Sequence, residues 1–413
     1  MELSDEKLNT LIENTRPLVD FWSEDDVDLE ERKSAVLKLR EYFGNKYTIE
    51  YRMLRNRRSV NPDKRSHIDM LFPGLGNCEI ANWALHGTDI FLDEQFDSYR
   101  STAFNRPDTY RAISKENFTQ WLEALLTSPL ALKEQIDSVL ASDVSLSECE
   151  KQVLNEMLDS VEEEQLRKDG SLAGELFSWL DLNSDGKAVV FCGHEKTAEN
   201  VYQMLVDKFG GLVERHVAGE TPKFIMEPDI RVLVCDHAGE DGINLQGKKR
   251  LAVHYSLPLS ISRIEQRNGR LNRYSAYSKS SEKVQSLVLV PKRDGFYKQW
   301  AQLLVSGVKV FSRNCASLQY KIDEFIDSSW PDIHANGYSG LLTLSEQLAG
   351  ENGVVDNAIR DLEVQEVFEQ DVLDIVNAKK ILKSSIPGRY RFRRKHGSNE
   401  RMDYVGTAFR FEE

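Results

Sequence analysis

The stretch AVVFCGHEKTAENVYQML, residues 188–205, decides how the rest of the chain reads. It opens on the apolar run Ala188, Val189, Val190, Phe191, too short for a helix, and it follows the turn Asn183-Ser184-Asp185-Gly186. Such a run, bounded by a strong break, predicts a buried strand. Residues 196–209 then predict an amphipathic helix with Ala198, Val201, Met204 and Leu205 inward. The alternation continues downstream, where RVLVCD (231–236), RLAVHY (250–255) and QSLVLV (285–290) read as strands and residues 262–271 as a helix. Short apolar strands alternating with helices imply parallel βαβ units with helices on both faces. The expected fold class is therefore α/β, a doubly wound parallel sheet over residues 181–330, preceded by a mostly helical region and followed by an α-rich tail.

Composition bounds what such a chain does. Of 413 residues 40% are apolar, which is enough to build cores and excludes a wholly disordered chain. No apolar stretch approaches the roughly 20 residues needed to span a bilayer, and the start MELSDEKLN lacks the blocks of a signal peptide, so the expected address is cytoplasmic. Cys78, Cys149, Cys192, Cys235 and Cys315 form no CxxC pair and have no His at metal-ligand spacing; they read as reduced thiols, with no metal site. A net charge of −14 argues against a protein that coats nucleic acid with its whole surface, but leaves room for a basic groove on an acidic body.

Four regions follow from the patterning. Residues 1–70 read as helical with an acidic run, SEDDVDLEE at 23–31, and end in the basic turn YRMLRNRRSV. Residues 71–180 read as a helical insert or linker bundle, in which Phe118, Trp121, Leu122 and Leu125 repeat at three and four and Ser128-Pro129 restarts a helix. Residues 181–330 hold the sheet. Residues 331–413 hold a helix-like acidic stretch, 346–382, and then the basic and aromatic run GRYRFRRKH.

Chemistry concentrates in IEQRNGRLNR, residues 264–273, just after the third expected strand. Arg267, Arg270 and Arg273 recur every three residues, so two or more can point the same way. A planar guanidinium suits phosphate oxygens and the charge that develops on a transferring phosphoryl group. The position beyond a strand's carboxyl end is where parallel α/β sheets place ligands.

IEQRNGRLNR resembles motif VI of superfamily 2 helicases and translocases, Q-R-x-G-R-x-x-R. CDHAGEDGINLQ, residues 235–246, is similar to motif V of the Swi/Snf-like branch, and residues 188–205 resemble motif IV with its following helix. The resemblance implies a RecA-like C-terminal helicase lobe, with Arg270 and Arg273 as arginine fingers reaching a triphosphate on a partner lobe. It implies that Arg267 organises the motif, that Gln266 joins an interlobe network, and that Gly242 and Asn244 lie where motif V approaches the ribose and relays to bound nucleic acid. The bottom-up reading agrees in part, since Gly239 and Gly242 let backbone come close to a ligand and Asp241 suits a ribose hydroxyl.

Closer similarity runs to the bacterial subgroup related to the RNA-polymerase-recycling translocase and to phage-defence translocases, which implies antiviral defence. It rests on YRMLRNRRSV (51–60) and GVKVFSRNCASLQYKIDEF (307–325). In YRMLRNRRSV, Arg52, Arg55, Arg57 and Arg58 form a compact cationic patch, either a nucleic-acid or nucleotide contact or a solvated turn paired with the acidic run. In the tail, Arg389, Arg391 and Arg393 would share one face of a strand, either meeting nucleic acid or guarding an edge.

Other parts of the family pattern are missing. No G-x-x-x-x-G-K-[ST] loop occurs, nor an apolar strand ending in Asp-Glu for magnesium, and the connection 216–231 is short for the family. The reading is therefore half of an ATP hydrolase, a DNA-dependent ATPase not expected to turn over ATP alone. ATP with Mg would be bound mainly by a P-loop lobe in another chain or in a missing N-terminal half, and double-stranded DNA would be the other partner. The alternative is an inert helicase-like module that docks nucleic acid or protein.

Overall fold

The computed structural model describes residues 72–83, 91–142, 144–240, 242–273, 282–349 and 353–362, with Thr10, Ser34, Ala35 and Lys38 as isolated helical positions. Apart from those four, all of these belong to one compact unit, residues 55–362. Asp241, the arginines at 52, 55, 57 and 58, those at 389, 391 and 393, and most of the acidic stretch 346–382 lie outside the described residues.

Six parallel strands form one sheet: β1 (Leu75–Trp83), β2 (Lys187–Phe191), β3 (Val213–Arg215), β4 (Val232–Cys235), β5 (Arg250–His254) and β6 (Val284–Pro291), in the order β1-β6-β5-β2-β4-β3. The α/β class read from the sequence is the one observed. Apolar runs bounded by turns became the central strands: Val189, Val190 and Phe191 pair with Leu233, Val234 and Cys235 on one side and with Ala252, Val253 and His254 on the other.

The chain order explains where a ligand crevice lies. From β2 it moves outward to β3 and β4, then crosses back over β2 to β5 and β6. Right-handed crossovers place connections running in opposite directions on opposite faces of the sheet. The larger core holds Ala188, Val190 and Val253 with Ala198, Val201 and Leu205 of the helix α5, Glu195–Phe209. The smaller core on the other face holds Val189, Phe191, Leu233 and Ala252, packed by Phe224, Leu245 and Leu271. The order reverses about β2, and crevices open at the carboxyl ends of strands at such a reversal.

β1 is a strand within the stretch read as mostly helical. Its sequence LGNCEIANW has no regular apolar alternation, and of its nine residues only Ala81 and Trp83 are buried. Pairing with β6, from Cys78 opposite Ser286 to Trp83 opposite Pro291, makes it a strand, a tertiary effect that local pattern does not carry.

The remainder of that stretch is helical: α1 (Leu92–Asn105), α2 (Phe118–Thr127), α3 (Pro129–Leu140) and the 35-residue α4 (Glu148–Leu182). Ser128 caps α3 by accepting from the Ala131 amide at 3.0 Å, with Pro129 in its first turn. Leu122, Leu126, Leu172 and Leu176 share one core with the sheet. Buried acids fasten the layers together. Glu164 of α4 accepts from the Leu92 amide at 2.9 Å, and Asp93 accepts from the Phe296 and Tyr297 amides at 2.9 and 2.8 Å. Beside them the Lys168 amine lies 4.2, 4.8 and 5.4 Å from the ring centres of Tyr255, Tyr297 and Trp83.

Candidate functional site

The site is built on α7, Ile261–Leu271, which follows β5 through the loop 255–260, and on α6, the single turn His237–Glu240 that follows β4. Ile261, Ile264 and Leu271 bury one side of α7, and Arg267 and Asn268 are buried with them. Spacings of four and three put Arg263, Arg267 and Arg270 on one stripe of the helix. That stripe faces the carboxyl ends of β2, β4 and β5, and each arginine finds its partners there.

Arg267 is the most committed of the three. Fully buried, it donates from Nη1 to the Ser256 carbonyl at 2.7 Å, from Nη2 to Ser256 Oγ at 3.0 Å, and from Nε to Glu240 Oε1 at 2.9 Å. Its guanidinium lies 5.5 Å from the Phe191 ring centre. Burial pulls its pKa below the ordinary arginine range and the Glu240 carboxylate opposes that pull. Arg263 donates from Nε to Glu240 Oε2 at 3.0 Å and from Nη1 to Glu123 Oε1 at 3.3 Å. Arg270, half-buried, donates from Nε to the main-chain carbonyl of Glu240 at 2.7 Å. Arg273 lies just beyond the helix end and is half-buried. One acid, Glu240, thus meets three arginines in succession.

Two glycines make the approach possible. Gly193, after β2, has φ +71°, and a Cβ there would lie 2.6 Å from Ser256 Oγ and 3.2 Å from Arg267 Nη2. At Gly239 a Cβ would lie 2.7 Å from the Cys235 Cβ, so the turn into α6 closes against its own strand. Asp236 fixes that turn by accepting from the Ala238 and Gly239 amides at 2.9 and 3.2 Å. Gly242 has φ +83° and is exposed, as is Asn244. Gln266 is exposed on the other side of α7, in a groove of about 350 Å³ that Asn268, Gly269, Asn272, Asn314 and Gln319 also line.

Of the residues singled out from sequence, Gly239, Arg267 and Arg270 gather around Glu240. Gln266 faces the separate groove, and Gly242 and Asn244 stand on the exposed loop after α6. Among the described residues no group of three or more His, Cys, Asp or Glu is arranged to hold a metal ion, and no helix is long and apolar enough to cross a membrane.

No family model and no curated protein matches the chain. Several solved structures do align with it. The C-terminal part of the Fun30 ATPase domain is 14% identical with a TM-score of 0.38, over 64% of this chain and 99% of that one. The Hef helicase domain of Pyrococcus furiosus is 14% identical at TM-score 0.38, over 67% of this chain and 65% of that one. The SWI2/SNF2 ATPase core of Sulfolobus solfataricus in complex with double-stranded DNA is 12% identical at 0.37, over 64% and 50%.

Sequence reasoning did not single out Glu240, Ser256, Gly193 or Arg263. The four-residue step from Arg263 to Arg267 was visible, and it extends the arginine row by one turn. Glu240 stands beside Asp241 in an acidic run, and only the meeting of α6 with α7 marks it as the partner of Arg267 and Arg270.

Proposed function

We propose that this chain supplies the arginine-bearing second lobe of an ATP-dependent DNA translocase and completes a nucleotide site whose phosphates a P-loop lobe holds. The observation that carries the reading is the arginine row of α7, set where the carboxyl ends of β2, β4 and β5 converge at the reversal of strand order. Arg270 closes that row, and Arg273 follows just beyond the helix end. Arginines whose own contacts are already made stabilise developing phosphoryl charge without reorganising at the moment of reaction.

The donor set fits one end of a triphosphate and no more. Arg270 and Arg273 would meet the terminal phosphate, while the sequence has no glycine loop to cradle the rest and no acidic box for magnesium. Mg-ATP, when bound, supplies the phosphoryl group. This chain's part is to orient that group, add positive charge and exclude water as the lobes close.

Double-stranded DNA is the proposed track, a bacterial defence translocase the proposed setting, and the cytoplasm the proposed location. The Arg52, Arg55, Arg57 and Arg58 patch and the Arg389, Arg391 and Arg393 tail are the proposed backbone contacts. Mixed with a P-loop lobe, the chain should give DNA-stimulated ATPase that Arg270→Ala lowers by about a hundredfold or more. Unchanged turnover in that variant would leave the docking-module reading, which the wholly internal contacts of Arg267 favour.

A further inference from the structure

Glu240 contributes more to this site than charge balance. Its carboxylate, 2% exposed, accepts from Arg263 Nε and Nη2 at 3.0 and 3.3 Å and lies 2.7 Å from Arg267 Nη2, while its main-chain carbonyl accepts from Arg270 Nε at 2.7 Å. The two engagements are geometrically linked. Arg263 and Arg267 hold the side chain of Glu240 against two turns of α7, and that grip sets where its carbonyl meets the third arginine one turn later. A guanidinium is planar, so fixing Nε fixes the plane in which its two terminal nitrogens lie.

We infer that Glu240 is the positioning residue for Arg270: it clamps the α6 turn onto α7 and thereby presents the Arg270 guanidinium toward the terminal phosphate of a nucleoside triphosphate. This rests on the reading of α7 as a phosphate-facing row. Asp236, accepting from the Ala238 and Gly239 amides, holds the turn from the strand side, so Glu240 is fixed from both directions. Aspartate in its place would keep the charge beside buried Arg267. One methylene shorter, it would have to draw the carbonyl away from Arg270 to reach the same two guanidinium groups.

The test uses the full chain. Two variants are made, Glu240→Asp and the double variant Glu240→Gln/Arg267→Met, because glutamine alone would strand the buried Arg267 charge. On the chain alone, phenylglyoxal modification followed by peptide mass spectrometry should be faster at Arg270 in both variants and unchanged at Arg273. With the P-loop lobe and DNA, kcat should fall about tenfold to a hundredfold, with KM for ATP within about twofold, since misplacing a group that acts in the transition state costs rate rather than binding. Wild-type Arg270 reactivity and wild-type kcat in a folded variant would overturn the inference. If the double variant does not fold, Glu240→Asp decides. If Arg270→Ala has no effect in the same assay, or the mixture shows no ATPase, the phosphate-facing reading fails, whatever the Glu240 variants do.

Discussion

Among the described residues two cations, Arg267 and Lys168, are fully buried, and their surroundings differ in kind. Arg267 lies 2.7 Å from the carboxylate of Glu240, whereas Lys168 sits among Trp83, Tyr255 and Tyr297, donating to the Thr127 carbonyl and Tyr297 hydroxyl at 3.2 and 3.1 Å. Burial pushes the Lys168 pKa down to about 7, against the pull of Asp169 and Glu164. Arginine hardly ever releases its proton, so a fully buried guanidinium must find acceptors for its charge, here an acid; lysine can give up its charge on burial. One site therefore keeps its charge, and the other is a neutralisable joint between the helices and the sheet.

The largest test of that contrast is truncation. Glu240→Ala leaves Arg267 as an uncompensated buried charge and should cost about 3–5 kcal/mol in urea unfolding. Lys168→Met removes an amine that is readily neutral and keeps the length of the side chain, so it should cost no more than about 2 kcal/mol. Equal losses in the two variants would erase the distinction.

The next test is pH. The folded pKa of Lys168, about 7, lies below its ordinary 10.5, so between these values the unfolded chain holds the extra proton and stability rises with pH. Glu164 has the opposite sign. Burial raises its pKa from 4.5 to about 7, so the folded chain holds the extra proton and stability falls as pH rises through that interval. Together the two groups contribute least near pH 7. Chemical denaturation from pH 5 to 10 should show both limbs, with Lys168→Met flattening the alkaline one and Glu164→Gln the acid one. Glu240→Asp, at the permanently charged site, should leave both slopes in place.

How much of this was legible in the sequence depended on where the determining contact lay. The strands β2, β4, β5 and β6 and the helices α5 and α7 stood out because each is an apolar run or stripe with its own boundaries. β1 did not, because only two of its nine residues are buried and its pairing partner lies some two hundred residues away at Val284–Pro291. β3 has only three residues, too few for any period. Within the site, the arginine row is a helix spacing and could be read. Glu240 could not be read, because its role comes from the crossing of two elements that follow different strands. Gly193 was likewise silent: its φ of +71° and the 2.6 Å approach to Ser256 appear only once β2 and β5 are adjacent.

The smallest effect comes from a third buried group, which belongs to neither class. His254, at the end of β5, is fully buried between Phe191 and Phe311, with ring centres 5.9 and 4.5 Å away, and neither ring nitrogen has a hydrogen-bond partner among the described residues. Burial, aided by the Arg267 charge, holds its pKa well below 6.5. The imidazole is thus folded as a neutral aromatic ring, which the unfolded chain protonates first as pH falls. Its contribution to stability is complete above 6.5 and declines below it, by up to about 1.4 kcal/mol per pH unit. His254→Phe keeps an aromatic ring against both phenylalanines and cannot titrate. It should therefore change stability little at pH 8 and lessen the loss between pH 6.5 and 5.5, as read by urea midpoints. An unaltered acid slope in that variant would mean that His254 takes up its proton in the folded state, beside the charge of Arg267, and that the neighbourhood of the arginine row tolerates a further cation.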